Sequence, residues 1–282
     1  LRMTMQPSLV PKEDLPAALG FSATMFNLAQ FIGPALGGLI IATLSVTCAF
    51  AFNAASFLGY LVVLFIIKLR YEKITPHRSI GFIKEFKQGL TYITRTSGLK
   101  NFLLLSLGVS LFMRAYRELF AGLSDGVFGM GVEGLAILSS SAGLGAMVTA
   151  IYLGSFGKIR GIIKIIMIAL LIAVIAQIVL ASTNLFWVAV VCAAILSGTS
   201  TYAGIGGQLL VQNTIHGDVR GRVMSIWGII LRGGPASGAW AIGALANHSN
   251  LQISLMIATA VFLGIWLWAT PKISEMATNL DR

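Results

Sequence analysis

Charged side chains are scarce in this sequence. Asp, Glu, Lys and Arg together make up 11% of its 282 residues, whereas 56% are hydrophobic. A soluble globular domain carries about 25% charged residues, so this composition excludes an ordinary soluble enzyme. It predicts instead an all-α protein whose helices cross a lipid bilayer. At about 20 residues per crossing, the length allows roughly eight spans.

Residues that bind metals or act as nucleophiles are also few. The two cysteines, Cys48 and Cys192, each lie inside an apolar run, which excludes a disulfide framework or a metal cluster. The three histidines, His77, His216 and His248, lie between apolar runs at spacings that fit neither a metal site nor a catalytic triad. No phosphate-binding loop of the P-loop type occurs either. The sequence therefore predicts no enzyme, no cofactor, no metal site and no ATP-driven step.

Long apolar runs dominate the rest of the chain. Hydropathy places spans at 18–43, 46–67, 101–122, 133–153, 162–181, 184–210, 223–246 and 250–270. Lys and Arg are absent from alternate gaps between these spans and cluster in the others, above all in 68–100. Because Lys and Arg accumulate on the cytoplasmic side of a membrane, both ends of the chain are expected in the cytoplasm and the gap 123–132 outside. The net charge of +10 reflects this asymmetry, and no nucleic-acid partner is expected.

Two spans share a motif of glycine and proline. The first span contains Gly33-Pro34-Ala35-Leu36-Gly37-Gly38, and the seventh contains Gly234-Pro235-Ala236-Ser237-Gly238-Ala239. The copies lie about 200 residues apart, and the order of helix and loop around them matches, which is typical of parallel six-helix repeats in transporters. A chance match between glycine-rich helices is the alternative.

This repeat divides the chain into four parts. Residues 1–67 are expected to hold the last two helices of an amino-terminal six-helix bundle, and 101–270 a complete carboxy-terminal bundle. Between them, 68–100 is a cytoplasmic loop, and 271–282 is a cytoplasmic tail. The loop is expected to contain an amphipathic helix at the membrane surface, because four apolar residues recur at spacings of three and four: Ile83, Phe86, Leu90 and Ile93. The whole is expected to be a twelve-helix protein, of which this chain carries about eight helices.

The first span and its flanks resemble a known family. Six residues follow the spacing of the antiporter signature in the fifth helix of major facilitator superfamily exporters, with alanine where that signature has its second glycine: Gly20, Ala29, Gly33, Pro34, Gly37 and Gly38. Segments 9–15 and 218–225 resemble the loops that enter the fifth and eleventh helices in the branch containing enterobactin and macrolide exporters. Segment 154–161 resembles the superfamily's cytoplasmic loop motif only partly, because it lacks the Asp of that motif. The resemblance extends from helix five to helix twelve.

This resemblance implies a secondary transporter of the bacterial cytoplasmic membrane with the major facilitator fold. It implies export of a small molecule, a siderophore or a drug, by alternating access with protons as the coupling ion, and a monomer when the protein is full length. Two alternatives stay open: a polytopic scaffold or sensor that does not transport, and a membrane-embedded lipid-modifying enzyme. The enzyme would need clustered Asp or His at a membrane face, which the sequence lacks.

The motifs also have physical roles of their own. Glycine and alanine on one helix face let two backbones approach closely in lipid, and Pro34 bends its helix because it removes a backbone donor. Such a face suits a water-free interface between two helix bundles that move relative to one another. The alternative is a fixed kink that serves only the packing of the helix. At the start of the seventh span, Asp218, Arg220 and Arg222 are expected to close a cytoplasmic gate by ion pairing, or only to anchor the helix.

Charges inside spans are costly unless they face water or a partner. Arg232 lies near the midplane and is the strongest candidate to line a cavity, where it would attract an anionic substrate or a carboxylate. A structural pair with a main-chain carbonyl or an acid is the alternative. Arg114, Arg117 and Glu118 lie nearer the outside, and Arg114 can pair with Glu118 four residues on. Glu118, the acid expected inside a span, is the candidate to bind a proton, with an ion pair at the vestibule rim as the alternative.

Overall fold

The computed structural model describes residues 25, 28–29, 32–33, 36–37, 40–41, 43–66, 82–156, 161–215 and 219–280. Every regular element within them is helical. The α-helices are α1 (Val46–Ile66), α2 (Phe82–Arg95), α3 (Ser97–Gly108), α4 (Phe120–Gly126), α5 (Gly131–Phe156), α6 (Ile162–Ser182), α7 (Phe186–Thr214), α8 (Arg220–Ala246), α9 (Leu251–Ala269) and α10 (Ile273–Leu280). A π-helical turn covers Val109–Met113, and 3-10 turns cover Ala115–Leu119 and Thr270–Lys272.

Six stretches of these residues are long and apolar enough to cross a membrane, which confirms the polytopic helical fold. They are Thr47–Ile66, Gly98–Gly126, Gly131–Leu153, Ile162–Ser182, Phe186–Gln212 and Leu251–Thr278. The predicted span 223–246 is present as α8 but is less apolar than these six, because it carries Arg232 and several glycines. The predicted span 18–43 lies mostly outside the described residues.

Two boundaries differ from those that hydropathy gives. The predicted span 101–122 is not one continuous helix, since the π and 3-10 turns interrupt it. The predicted tail is not separate from the bundle: α10 packs on α3, Met276 and Leu280 are buried, and Asn101 Nδ2 donates a hydrogen bond to Glu275 Oε2 at 3.0 Å. Hydropathy responds to side chains alone, so it detects neither a change of hydrogen-bond pattern nor a polar helix that packs inward.

Helices α3 to α10 pack together around an apolar core. α7 lies against both α5 and α6. Its contact with α5 is close because glycine occurs on both helices: a Cβ on Gly145 would overlap the main chain of Ala194, and one on Gly198 would lie 2.8 Å from Thr149 Oγ1. Small residues of this kind are what membrane helices use to associate, since lipid supplies no hydrophobic drive between them. α1, in contrast, is exposed along nearly its whole length.

α2 occupies the segment where the sequence predicts an amphipathic helix. Ile93 is buried, whereas Phe86 and Leu90 from the same predicted face are exposed. Gly89 packs on the start of α8, where its Cβ would lie 3.2 Å from Arg222 Cβ. The helix is therefore held against the bundle by its glycine and its last turn. Its location at the membrane surface stays a prediction.

Candidate functional site

The third predicted span is interrupted near its middle. After the π turn, Arg114 bends the chain with φ −112° and ψ −15°, and the 3-10 turn then leads into α4. Such a change of hydrogen-bond pattern leaves main-chain groups in need of other partners. One of them is satisfied across the bundle: Gln177 Nε2 of α6 donates a hydrogen bond to the Phe112 carbonyl at 3.0 Å. An interruption inside a membrane span is tolerated where neighbouring helices supply such bonds.

The glycine motif of α8 packs against this interruption. A Cβ on Gly238 would overlap the main-chain carbonyl oxygen of Leu111, and a Cβ on Gly234 would lie 2.5 Å from Ser110 Cβ. Pro235 lies inside the helix between these two glycines. Only glycine allows α8 to approach the π turn this closely, so the second copy of the repeated motif is a packing surface for the interrupted span.

The opposite face of α8 is exposed and differs from an ordinary lipid-facing surface. It consists mainly of small and polar residues: Ser225, Ile229, Arg232, Gly233, Ala236, Ser237 and Trp240. The exposed face of α6 consists of large aliphatic residues: Ile165, Ile168, Leu171, Ile172, Ile175, Ile178 and Val179. The composition of α6 suits contact with acyl chains, whereas that of α8 suits contact with protein or with a polar path.

Arg232 lies in the middle of the exposed α8 face. Its side chain is exposed, and no other described residue gives it a hydrogen bond or an ion pair. A Cβ on the adjacent Gly233, or on Gly228 one turn earlier, would meet nothing within 4 Å. The structural pair that the sequence allowed is therefore not formed among the described residues, and the space beside Arg232 is open.

The predicted pair of Arg114 and Glu118 does not form. Arg114 is half-buried, Glu118 is exposed, and no ion pair joins them. A spacing of four residues brings two side chains together only on a continuous α-helix, and the bend at Arg114 removes that register. Arg117, on the same 3-10 turn, is half-buried.

Glu118 is not the sole acid inside a candidate span. α5 begins at Gly131, two residues before the predicted start, so Glu133 lies in its first turn. A carboxylate there is stabilised by the positive end of the helix dipole. The predicted span 133–153 also begins at this residue, so the expectation that Glu118 is the acid inside a span was wrong on the sequence's own boundaries.

A small cavity lies beside the interruption, between α3, α6, α7 and α8. Its volume is about 20 Å³, which is room for roughly one water-sized group. Most of its wall is apolar, and its polar members include Ser110, Arg114, Ser200 and Trp227. The guanidinium of Arg114 reaches α7 here: its Nη1 lies 3.7 Å from the Cβ position of Gly204. Sequence reasoning missed the two serines and Trp227, because isolated residues of these types are ordinary in apolar helices.

The remaining predicted site residues are only partly described. Ala29 and Gly33 are exposed, Gly37 is half-buried, and a Cβ on either glycine would meet nothing within 4 Å. Arg222 is half-buried beneath α2, and Arg220 begins α8. Four predicted residues lie outside the described part of the chain: Gly20, Pro34, Gly38 and Asp218. The geometry of the gate and of the antiporter-like motif therefore stays a prediction.

Comparison with known proteins finds relatives along the whole chain. A family model described as "Transmembrane secretion effector" matches residues 3–281. Macrolide efflux protein A of Enterococcus faecalis is 25% identical over 236 residues, which cover 80% of this chain and 71% of that protein. Macrolide efflux protein A of Streptococcus pyogenes is 25% identical over 271 residues, which cover 92% of this chain and 62% of that protein. The staphyloferrin A transporter of Staphylococcus aureus is 22% identical over 268 residues, which cover 93% and 67%.

A solved structure shares the fold. The crystal structure of a bacterial homologue of the human lysosomal transporter Spinster, inward-facing and unoccupied, aligns with a TM-score of 0.55 at 16% identity. The alignment covers 99% of this chain and 74% of that one. The likeness confirms the expected helix bundle of the major facilitator type, and the macrolide efflux protein of Streptococcus pyogenes shows that relatives extend beyond the length of this chain.

Proposed function

Because the chain belongs to the transmembrane secretion effector family of the major facilitator superfamily, we propose that its protein is a secondary transporter that exports a small molecule across the bacterial cytoplasmic membrane. The observation that carries this proposal is the exposed α8 face. An unpaired Arg232 lies there among glycine, alanine and serine, with open space beside it. This face forms one wall of the substrate path.

The cost of the alternative supports that assignment. An arginine at the centre of a span that faces lipid costs at least about 2.5 kcal/mol on insertion scales. The exposed α6 face of Ile, Leu and Val has the composition expected of a surface in contact with lipid. A water-filled path, bounded on its other side by a second helix bundle, removes the cost for Arg232. The same path gives its guanidinium access to an anionic group on the substrate.

Glu118 is the proposed site of the coupling proton. Its carboxyl is exposed, within the candidate span Gly98–Gly126, and it forms no ion pair with Arg114. Because an acid inside a span is costly unless it faces water or a partner, an exposed Glu118 is the group that would carry the proton along a water-filled path. In vesicles, Glu118→Gln should uncouple export from an imposed pH gradient, whereas Asp125→Asn at the end of α4 should not.

Alternating access is the finer part of the proposal. The close α8 contact at Gly234 and Gly238 would make the interrupted span and α8 move as one unit. The gate at Asp218, Arg220 and Arg222 would open and close the cytoplasmic side, where α2 already covers Arg222. The motif at Gly33, which is exposed, and Gly37, which is half-buried, would offer a helix face with little side-chain bulk along which a second element could slide.

Transport by the intact protein tests the proposal. Cells that express it are loaded with a radiolabelled macrolide or, separately, with staphyloferrin A, and the amount retained is followed with and without a protonophore. Export is expected as faster loss of at least one compound, and the protonophore should abolish it. A protein that reaches the membrane in normal amounts but changes the retention of neither compound would favour the scaffold alternative.

A further inference from the structure

The small cavity beside the interruption has a mostly apolar wall, and the polar side chains in it include several hydrogen-bond donors. We propose that it is a binding site for one small monovalent anion of chloride size, held between Arg114, Ser110, Ser200 and Trp227. This site is separate from the substrate path along Arg232 and does not depend on whether the protein transports.

Unsatisfied polar groups are concentrated at this cavity. Six buried side-chain N or O atoms have no hydrogen-bond partner within the described residues, and three of these line the cavity: Ser110 Oγ, Ser200 Oγ and Trp227 Nε1. The exposed fractions of these side chains are 0%, 9% and 2%. Buried polar groups in native structures nearly always have a hydrogen-bond partner. Three unpaired polar atoms at one cavity therefore indicate that a ligand binds there.

Neighbouring hydroxyl side chains do find partners in the main chain of their own helices. Ser106, which also lines the cavity, donates its hydroxyl to the Phe102 carbonyl at 2.8 Å. Thr199, next to Ser200, donates to the Ile195 carbonyl at 2.9 Å. A serine or threonine hydroxyl in a helix commonly donates its hydrogen bond to the main-chain carbonyl three or four residues earlier. The hydroxyls of Ser110 and Ser200 do not, and are left available to a guest.

The charge at the cavity is positive and uncompensated. The ionisable groups near enough to influence Arg114 are Tyr116 and Arg117, and neither is a carboxylate. No described residue gives the Arg114 guanidinium a hydrogen bond or an ion pair. An unpaired charge that is partly removed from water carries a cost in free energy. A guest that carries one negative charge removes that cost, whereas a water molecule does not neutralise it.

The hydrogen-bond donors that line the cavity and the volume of the cavity both favour the same ligand. Arginine and the tryptophan ring N–H can only donate, and each serine can donate, so the guest must accept several hydrogen bonds at once. A volume of about 20 Å³ holds one group of roughly water size. Chloride meets both conditions, and a polyatomic organic anion such as gluconate exceeds the volume.

Equilibrium binding of radiolabelled chloride to the intact protein tests this site. The protein is purified in gluconate salts without transport substrate, and titrated with ³⁶Cl⁻. Saturable binding of one chloride per protein is expected. Arg114→Gln should weaken it about tenfold or more, since a charge-assisted bond is lost. Trp227→Phe should weaken it severalfold, because it removes the Nε1 donor and retains the stacking of the ring on Phe102.

Lys164→Gln is the matched control, because it also removes a cation, but Lys164 is exposed on α6 and does not line the cavity. Its chloride affinity should equal that of the wild type. Absence of saturable binding in the wild type would mean that the cavity holds an ordered water only, and would overturn the proposal. An unchanged affinity in Trp227→Phe would overturn it as well, even if Arg114→Gln did not fold. The assay contains no substrate, so a failure of transport would not affect its result.

Discussion

Gln177 of α6 donates a hydrogen bond from its side-chain amide to the main-chain carbonyl of Phe112, 3.0 Å away, at the end of the π turn. The side chain of Gln177 is fully buried, and this bond links the interruption of the third span to a helix that is regular throughout. Because the freed carbonyl would otherwise be unpaired in an apolar interior, the interruption and Gln177 depend on one another.

Replacement of Gln177 by leucine should therefore destabilise the protein. The carbonyl of Phe112 would lose its partner, at a cost of about 1–2 kcal/mol. Gln252→Leu is the control, since Gln252 also donates to a main-chain carbonyl, that of Thr183 at 3.1 Å, but at the turn after α6, where both residues are partly exposed and not fully buried. The thermal unfolding midpoint of the purified protein should fall for Gln177→Leu and change little for Gln252→Leu. Equal shifts would show that the interruption needs no support.

The glycines of α8 should differ sharply in their tolerance of a methyl group. In Gly238→Ala the new Cβ would overlap the Leu111 carbonyl oxygen, so α8 must move away from the π turn, at a cost of about 1–3 kcal/mol or more. In Gly233→Ala the Cβ would meet nothing within 4 Å. The yield of monodisperse protein and the unfolding midpoint measure the difference. A tolerant Gly238 would mean that the close contact does not determine packing.

The membrane topology follows from the charge pattern and can be tested by labelling. In a background without Cys48 and Cys192, Gly126→Cys should react with a membrane-impermeant maleimide added outside the cell. Lys87→Cys on α2 should react only from inside. Both positions are exposed, and the position of Gly126 has open space around it. Reaction of both residues from one side would contradict the predicted orientation.

Much of the fold could be predicted from the sequence because membrane spans depend on bulk hydropathy. Each described span from 133 onward falls within a few residues of its helix. The glycine motif of the seventh span could be found by its repeat, but the partner that it packs on could not. That partner is a π turn, and its formation depends on Gln177 and Gly238, which are distant in sequence from Leu111 and Phe112.

The candidate site was harder to predict, because the facing of a side chain depends on its neighbours. Hydropathy identified Arg232 and Arg114 as costly charges, yet it could not show that Arg232 is exposed and Arg114 half-buried beside a cavity. The Arg114 and Glu118 pair assumed a continuous helix. Ser110, Ser200 and Trp227 gave no sequence signal, since their common environment arises only when α3, α7 and α8 meet.

The last prediction concerns Arg232 as a residue of the substrate path. Arg232→Gln retains hydrogen-bonding reach and removes the charge, so the export rate per molecule should fall about tenfold or more if the guanidinium contacts an anionic group. Insertion should not suffer, because loss of a cation near the midplane makes insertion easier. Arg232→Lys should be partly active if charge alone matters, and inactive if the planar guanidinium is required.

Lys164→Gln is the matched control for Arg232→Gln. Lys164 is exposed like Arg232, but it lies in the first turn of α6, beside the aliphatic face that suits lipid. There its long side chain can reach the membrane surface, so export should be unchanged. The measurement is the rate of substrate loss divided by the amount of protein in the membrane. If Arg232→Gln matched the wild type in that ratio, Arg232 would not contact the substrate, and the exposed face of α8 would be a packing surface for another helix.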